Sequence, residues 1–144
     1  MSDKLIIEWN DFSENVLKAF KTLRDDTDFA DVTLACEDGQ QVRAHKVILA
    51  ASSPFFQNLL QRNTHPHPLI YMRKLHPTVM EAIVDFIYRG EANITQDYLE
   101  QFFAIAEELK IKGLMTDVDA NLKQKQKWRC LGKIHKSLMP RSTL

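Results

Sequence analysis

The 144-residue sequence predicts an α+β fold, largely helical around a small sheet. Three observations lead there. Apolar residues recur at i, i+3 and i+4 in several separate runs, the signature of amphipathic helices. A single Asp-Gly pair sits between two strand-like runs, the strongest short hairpin signal. The length suits one domain with one core.

The elements follow in order. Lys4–Trp9 reads as a short strand, too brief to be stable unless something else supplies its partner. Asp11-Phe12-Ser13-Glu14 has the form of a capping box, with Asp at the cap and Glu three residues on. Val16, Leu17, Phe20 and Leu23 then follow at helical spacing, so a helix is expected over 12–24. Phe29–Glu37 and Gln40–Ala44 flank Asp38-Gly39, a turn that needs positive φ, and form the hairpin. His45–Ala51 is apolar enough for a short buried helix. Ser53-Pro54 opens another, running to about Gln61 by the cap-then-proline rule. A polar loop, Arg62–Pro68, leads to a short strand at Leu69–Tyr71. His76-Pro77 starts a helix with Met80, Ile83, Val84, Ile87 and Tyr88 on one face, and Gly90 closes it. Ala92–Ile94 reads as one more strand fragment. Leu99, Phe102, Phe103, Ala106 and Leu109 define a helix over 97–110, and Lys112–Asp119 supplies a last turn or two.

Composition narrows the function. Hydrophobic residues are 44% and charged residues 26% of the chain, ordinary for a globular protein and unlike a disordered or collagenous one. No apolar run reaches the roughly 18 residues of a membrane span, and Met1–Trp9 carries charge too early for a secretory signal. Cys36 and Cys130 suit a reducing compartment and cannot complete a four-ligand zinc site. The overall charge is zero, against a generally basic nucleic-acid binder. That zero hides a division: residues 1–115 hold 12 basic and 17 acidic residues, a net of −5, and 116–144 hold 7 and 2, a net of +5. The expected organisation is therefore a domain over 1–115 followed by a basic tail over 116–144.

No catalytic or cofactor motif appears. Gly39, Gly90, Gly113 and Gly132 are isolated turn residues rather than a phosphate loop, and no Gly-x-Ser-x-Gly, His-Glu-x-x-His or Cys-x-x-Cys occurs. Glu107 and Glu108 are adjacent on a helix and diverge by about 100°, a poor geometry for a shared acid–base site. His65 and His67 each precede a proline in a polar loop with no thiol or carboxylate nearby, so a plain loop is expected. His76 reads as a helix cap and His45 as a hydrogen-bonded, partly buried residue. Lys123–Arg129 alternates charge with neutral polar residues and suits a solvated tail, or a contact with nucleic acid or an import receptor. The sequence thus predicts no enzyme, no cofactor and no metal.

Several runs together resemble the BTB/POZ domain. Phe29-Ala30-Asp31-Val32-Thr33-Leu34 and Val42–Phe56 (VRAHKVILAASSPFF) are similar to its core motif, and Phe86–Glu91 (FIYRGE) to its helix end. Trp9–Asn15 (WNDFSEN), with Ile111–Leu114 (IKGL), is similar to the tramtrack-type subgroup of arthropod transcription regulators. The resemblance covers about residues 5–115. It implies an intertwined homodimer in which the N-terminal strand pairs with the partner subunit. It also implies further assembly in this subgroup, a nuclear location, and a role in transcription and chromatin with other BTB proteins or co-regulators as partners. Under it, Leu5, Ile6, Ile7, Trp9, Phe12, Val16, Leu17 and Phe20 belong to the dimer interface, and Asp31 with Lys46 to a charged pocket at its centre.

Periodicity alone reads Val16, Leu17 and Phe20 as ordinary intrachain core, and a Trp9 capping its own domain suits the pattern as well as a Trp at an interface. The residues themselves favour a partner at one point only: the isolated strand Leu5–Glu8 has edges that a second chain can satisfy. The alternative function for this fold is a substrate adaptor of a cullin-type ubiquitin ligase. Such adaptors resemble one another in a hydrophobic-x-Glu element after the third helix, and Leu59–Asn63 (LLQRN) lacks the Glu. No zinc finger or other DNA-reading module is present, so direct sequence-specific DNA binding is not expected, nor is a membrane partner.

Overall fold

A computed structural model describes residues 2–114. Five α-helices surround a three-stranded sheet: α1 (Phe12–Leu23), β1 (Val32–Ala35), β2 (Gln41–Ala44), α2 (Lys46–Ser52), α3 (Pro54–Arg62), β3 (Leu69–Tyr71), α4 (Pro77–Arg89) and α5 (Gln96–Leu109). This is the expected α+β architecture. The sheet order is β2-β1-β3, antiparallel between β1 and β2 and parallel between β1 and β3. The parallel pairing follows from the connection: β2 ends at Ala44 opposite Val32, and α2 and α3 return the chain to that same end, where Leu69 of β3 begins opposite Thr33.

Local chemistry sets each boundary. The hairpin turns through Asp38 and Gly39, both at positive φ (69° and 73°). Ser53 caps α3: its hydroxyl accepts the Phe56 N–H at 3.2 Å and donates to the Leu109 carbonyl, tying α3 to the end of α5. Pro77 begins α4 where a missing N–H costs nothing. His76 Nδ1 accepts the Thr78 N–H at 3.1 Å, the cap role expected of it. Gly90, at φ 80°, ends the helix.

The core lies between the sheet and the α2–α5 layer. Val32 and Leu34 of β1, with Val42 and Ala44 of β2, face Leu49, Phe56, Val79, Ile83, Phe102 and Leu109. α1 stands apart from it: none of its residues is buried, although it borders α4.

Three local expectations need correction. The capping box at Asp11 does not form, since Asp11 has left-handed backbone (φ 62°) and makes no side-chain cap bond. An N-cap side chain reaches the N3 amide from extended backbone; here Asn15 Nδ2 instead donates to the Asp11 carbonyl at 2.8 Å. Lys4–Trp9 has no strand structure in the single chain, because no sheet edge lies alongside it. Ala92–Ile94 is likewise not a strand; Ala92 and Ile94 are half-buried and pack on the core instead of on a neighbouring strand. Of the expected last turns, Lys112–Leu114 is a 3₁₀ turn, and the remainder of Lys112–Asp119 lies outside the described residues. The basic segment and Cys130 lie outside them too.

Candidate functional site

An amphipathic helix in a small domain normally buries its apolar stripe. α1 leaves most of its stripe in solvent. Phe12, Leu17 and Phe20 are exposed, Val16 is half-buried, and only Leu23 at the last turn packs against the core. The segment before it is barer still: Leu5, Ile6 and Ile7 are 84–93% exposed. Trp9 turns its ring edge-to-face onto Phe12 at 5.1 Å, so the segment and the helix present one continuous apolar strip. Seven of the eight residues expected at an interface are thus exposed along one contiguous stretch of chain, and the eighth, Val16, is half-buried.

What holds α1 in place is charge. The Arg24 guanidinium, just past the helix, reaches Asp85 Oδ1 with Nε at 2.6 Å and Glu81 Oε1 with Nη2 at 2.5 Å, both on α4. Burial alone would lower the Arg24 pKa; the two carboxylates outweigh it and hold the value above the ordinary one. Arg89 at the end of α4 returns a bond to Asp25 at 2.9 Å. The clamp fixes the angle of α1 with little apolar packing, leaving its outer face free. No spacing rule connects residues 57 and 61 positions apart, so sequence reasoning missed it.

Asp31 and Lys46 are neighbours, though not as a charge pair. Asp31 Oδ1 accepts the Lys46 backbone N–H at 2.8 Å, capping the first turn of α2 from β1's side of the domain. The Lys46 ammonium donates to the His65 carbonyl at 2.8 Å. Both residues are half-buried. The His45 side chain makes no cap bond of its own to α2. It is buried as expected, with its backbone N–H donating to the Tyr88 hydroxyl at 2.8 Å and Nδ1 paired with the same hydroxyl at 2.7 Å. Burial pushes the Tyr88 phenol up to about 12. Burial also raises the Cys36 thiol, helped by Asp38 and Glu37.

The loop histidines behave as loop residues. His67 Nε2 pairs with Thr33 Oγ1 at 2.8 Å, and the His67 N–H donates to His65 Nδ1 at 2.9 Å. Among the described residues no group of three His, Cys, Asp or Glu is placed to hold a metal. Phe29 and Val47, which read in sequence as strand and buried-helix residues, are exposed as well.

This geometry is a scaffold for protein contact, and comparison with known proteins gives its class. The chain belongs to the BTB/POZ family: residues 20–126 match the BTB/POZ domain. It is 44% identical over 111 residues to the longitudinals lacking protein-like protein of Drosophila melanogaster, covering 77% of this chain and 87% of that one. It is 42% identical over 113 residues to the Drosophila protein bric-a-brac 1, and 39% over 113 residues to protein tramtrack, alpha isoform. Of these two longer relatives it spans only 12% and 14%. The fold is that of the BTB domain of zebrafish PATZ1, with a TM-score of 0.63 at 23% identity over 76% of this chain and 89% of that one.

Proposed function

We propose that this chain is a non-catalytic, self-associating interaction module of a nuclear transcription or chromatin regulator, which recruits other BTB proteins or co-regulators. One observation carries the reading: Leu5, Ile6, Ile7, Trp9, Phe12, Leu17 and Phe20 form an exposed apolar strip on a domain whose core is otherwise closed. Exposed apolar patches of that extent on a soluble chain mark interaction sites. A twofold arrangement satisfies it economically, because the strip of one chain packs on the same strip of the next and the strand-like segment finds an edge in the partner. Family membership supports the same reading. In the dimer, Asp31 and Lys46 line a pocket at the centre, and Trp9 with Phe12 extends the contact to further dimers. The module comprises residues 1–115, and the basic residues 116–144 act through charge.

Deleting residues 1–10 tests the reading. The truncated chain is expected to lose stability or solubility sharply and to associate less. A deletion that remains a well-folded monomer with unchanged melting, beside a wild type that is also monomeric, would defeat it.

A further inference from the structure

The sheet offers a second surface, distinct from the strip on α1. β3 is an edge strand, and the ladder shows which of its groups are free. The Thr33 N–H donates to the Pro68 carbonyl at 3.0 Å, and the Met72 N–H to the Ala35 carbonyl at 2.7 Å. In a parallel ladder of that register, Ile70 turns both its main-chain groups to β1, and Leu69 and Tyr71 turn theirs outward. Among the described residues nothing pairs with that outer side. The same two residues are each 58% exposed. Edge strands in natural proteins are commonly guarded by inward charges, bulges or a covering loop. This one carries two large apolar side chains and no charge.

Its surroundings are basic. Arg73 and Lys74 follow β3 after Met72, and Arg43 stands on the same sheet face, paired through Thr33 to Leu69. All three are exposed, and none is in an ion pair among the described residues. The acidic residues Glu37 and Asp38 sit in the β1–β2 turn, a strand further from the open edge. Three uncommitted cations beside an open apolar edge contrast with the net −5 of residues 1–115.

We propose that the free edge of β3 binds an extended acidic peptide by strand addition, its apolar residues against Leu69 and Tyr71 and its carboxylates near Arg43, Arg73 and Lys74. Main-chain bonds to Leu69 and Tyr71 supply affinity, and the charges supply orientation and selectivity. The inference goes beyond self-association and uses none of the residues of the α1 strip.

Fluorescence anisotropy of the full chain with labelled peptide EEVTVTVEE tests it. The acidic peptide is expected to bind and its charge-reversed twin KKVTVTVKK not to. Arg73→Glu with Lys74→Glu should weaken binding roughly tenfold. N-methylating one alternate set of peptide amides should abolish binding, while methylating the other set leaves it intact, which no purely electrostatic contact would show. Equal binding of both peptides, indifference to the charge reversal (as for capture by the basic residues 116–144), or equal effects of the two methylation patterns would overturn the proposal. So would a fall in the chain's solution mass on Leu69→Glu with Tyr71→Glu, because a second copy would then occupy the edge.

Discussion

Leu17→Ala separates an interface role from a core role. Leu17 is 59% exposed in the single chain, so truncating it opens no cavity there, and alanine is the better helix former. Removing three side-chain carbons forfeits about 2.4 kcal/mol when all are buried, at ~0.8 kcal/mol each. The exposed 59% corresponds to about 1.4 kcal/mol per protomer, available only if a partner covers it. In an isologous dimer the loss counts twice, about 2.8 kcal/mol, or roughly 100-fold in the dissociation constant. Sedimentation velocity across a dilution series reads this shift, and circular dichroism confirms that the helix content is kept. A dissociation constant unchanged within about threefold, a difference of under ~1 kcal/mol, would refute the assignment of this face to a partner. Loss of the fold would instead return Leu17 to the intrachain core.

Asp31→Ala removes the acceptor for the Lys46 N–H and should cost about 1 kcal/mol in melting experiments, while Asp31→Asn keeps that acceptor and the fold but weakens dimerisation or partner recruitment. If Asp31→Asn and Lys46→Gln both leave association and partner binding unaltered, the pocket assignment is wrong. Tyr88→Phe strands the buried His45 N–H and Nδ1 and should cost about 1–3 kcal/mol, seen as a melting point lower by several degrees; an unchanged one would show the pair to be energetically idle. The folded Tyr88 pKa of about 12 lies above the usual ~10, so its contribution is whole below pH ~10 and is lost as pH rises towards 12. Ultraviolet titration of the native chain should show the Tyr88 phenol ionising late, and its ionisation near the usual pH ~10 would contradict this. Arg24→Ala releases α1 from Glu81 and Asp85 and should cost about 1–2 kcal/mol, since the guanidinium is largely buried and Glu81 is half exposed; faster amide exchange confined to α1 is the expected pattern, and uniform protection would refute it.

Much of the fold was legible because its punctuation is local. Asp38-Gly39 specifies a turn by positive φ, Ser53-Pro54 and His76-Pro77 start helices, and Gly90 stops one; each acts within a few residues and needs no tertiary help. The helix expected over 97–110 runs from Gln96 to Leu109 for the same reason, a strong apolar period. The misreadings depend on what lies opposite. Asp11-Phe12-Ser13-Glu14 has the letters of a capping box, yet left-handed backbone at Asp11 takes the carboxylate away from the amides. Ala92–Ile94 has strand-like letters without a neighbouring strand. Asp31 lies within the strand-like run Phe29–Glu37, and its capping role shows only when α2 arrives beside it and presents the Lys46 N–H. Periodicity identifies an apolar face on α1 but is silent on whether the chain's own core or a second chain meets it. Val47 shows the same ambiguity in the other direction, apolar in sequence and exposed in the fold.

Self-association through residues 5–20 is the central claim, and the mass of the purified chain in solution as a function of concentration tests it most directly. Light scattering or sedimentation equilibrium is expected to give at least two chains, with a larger assembly that Trp9→Ala plus Leu5→Lys reduces to a folded dimer. A mass of one chain, 16.7 kDa, held across the whole concentration range would contradict it.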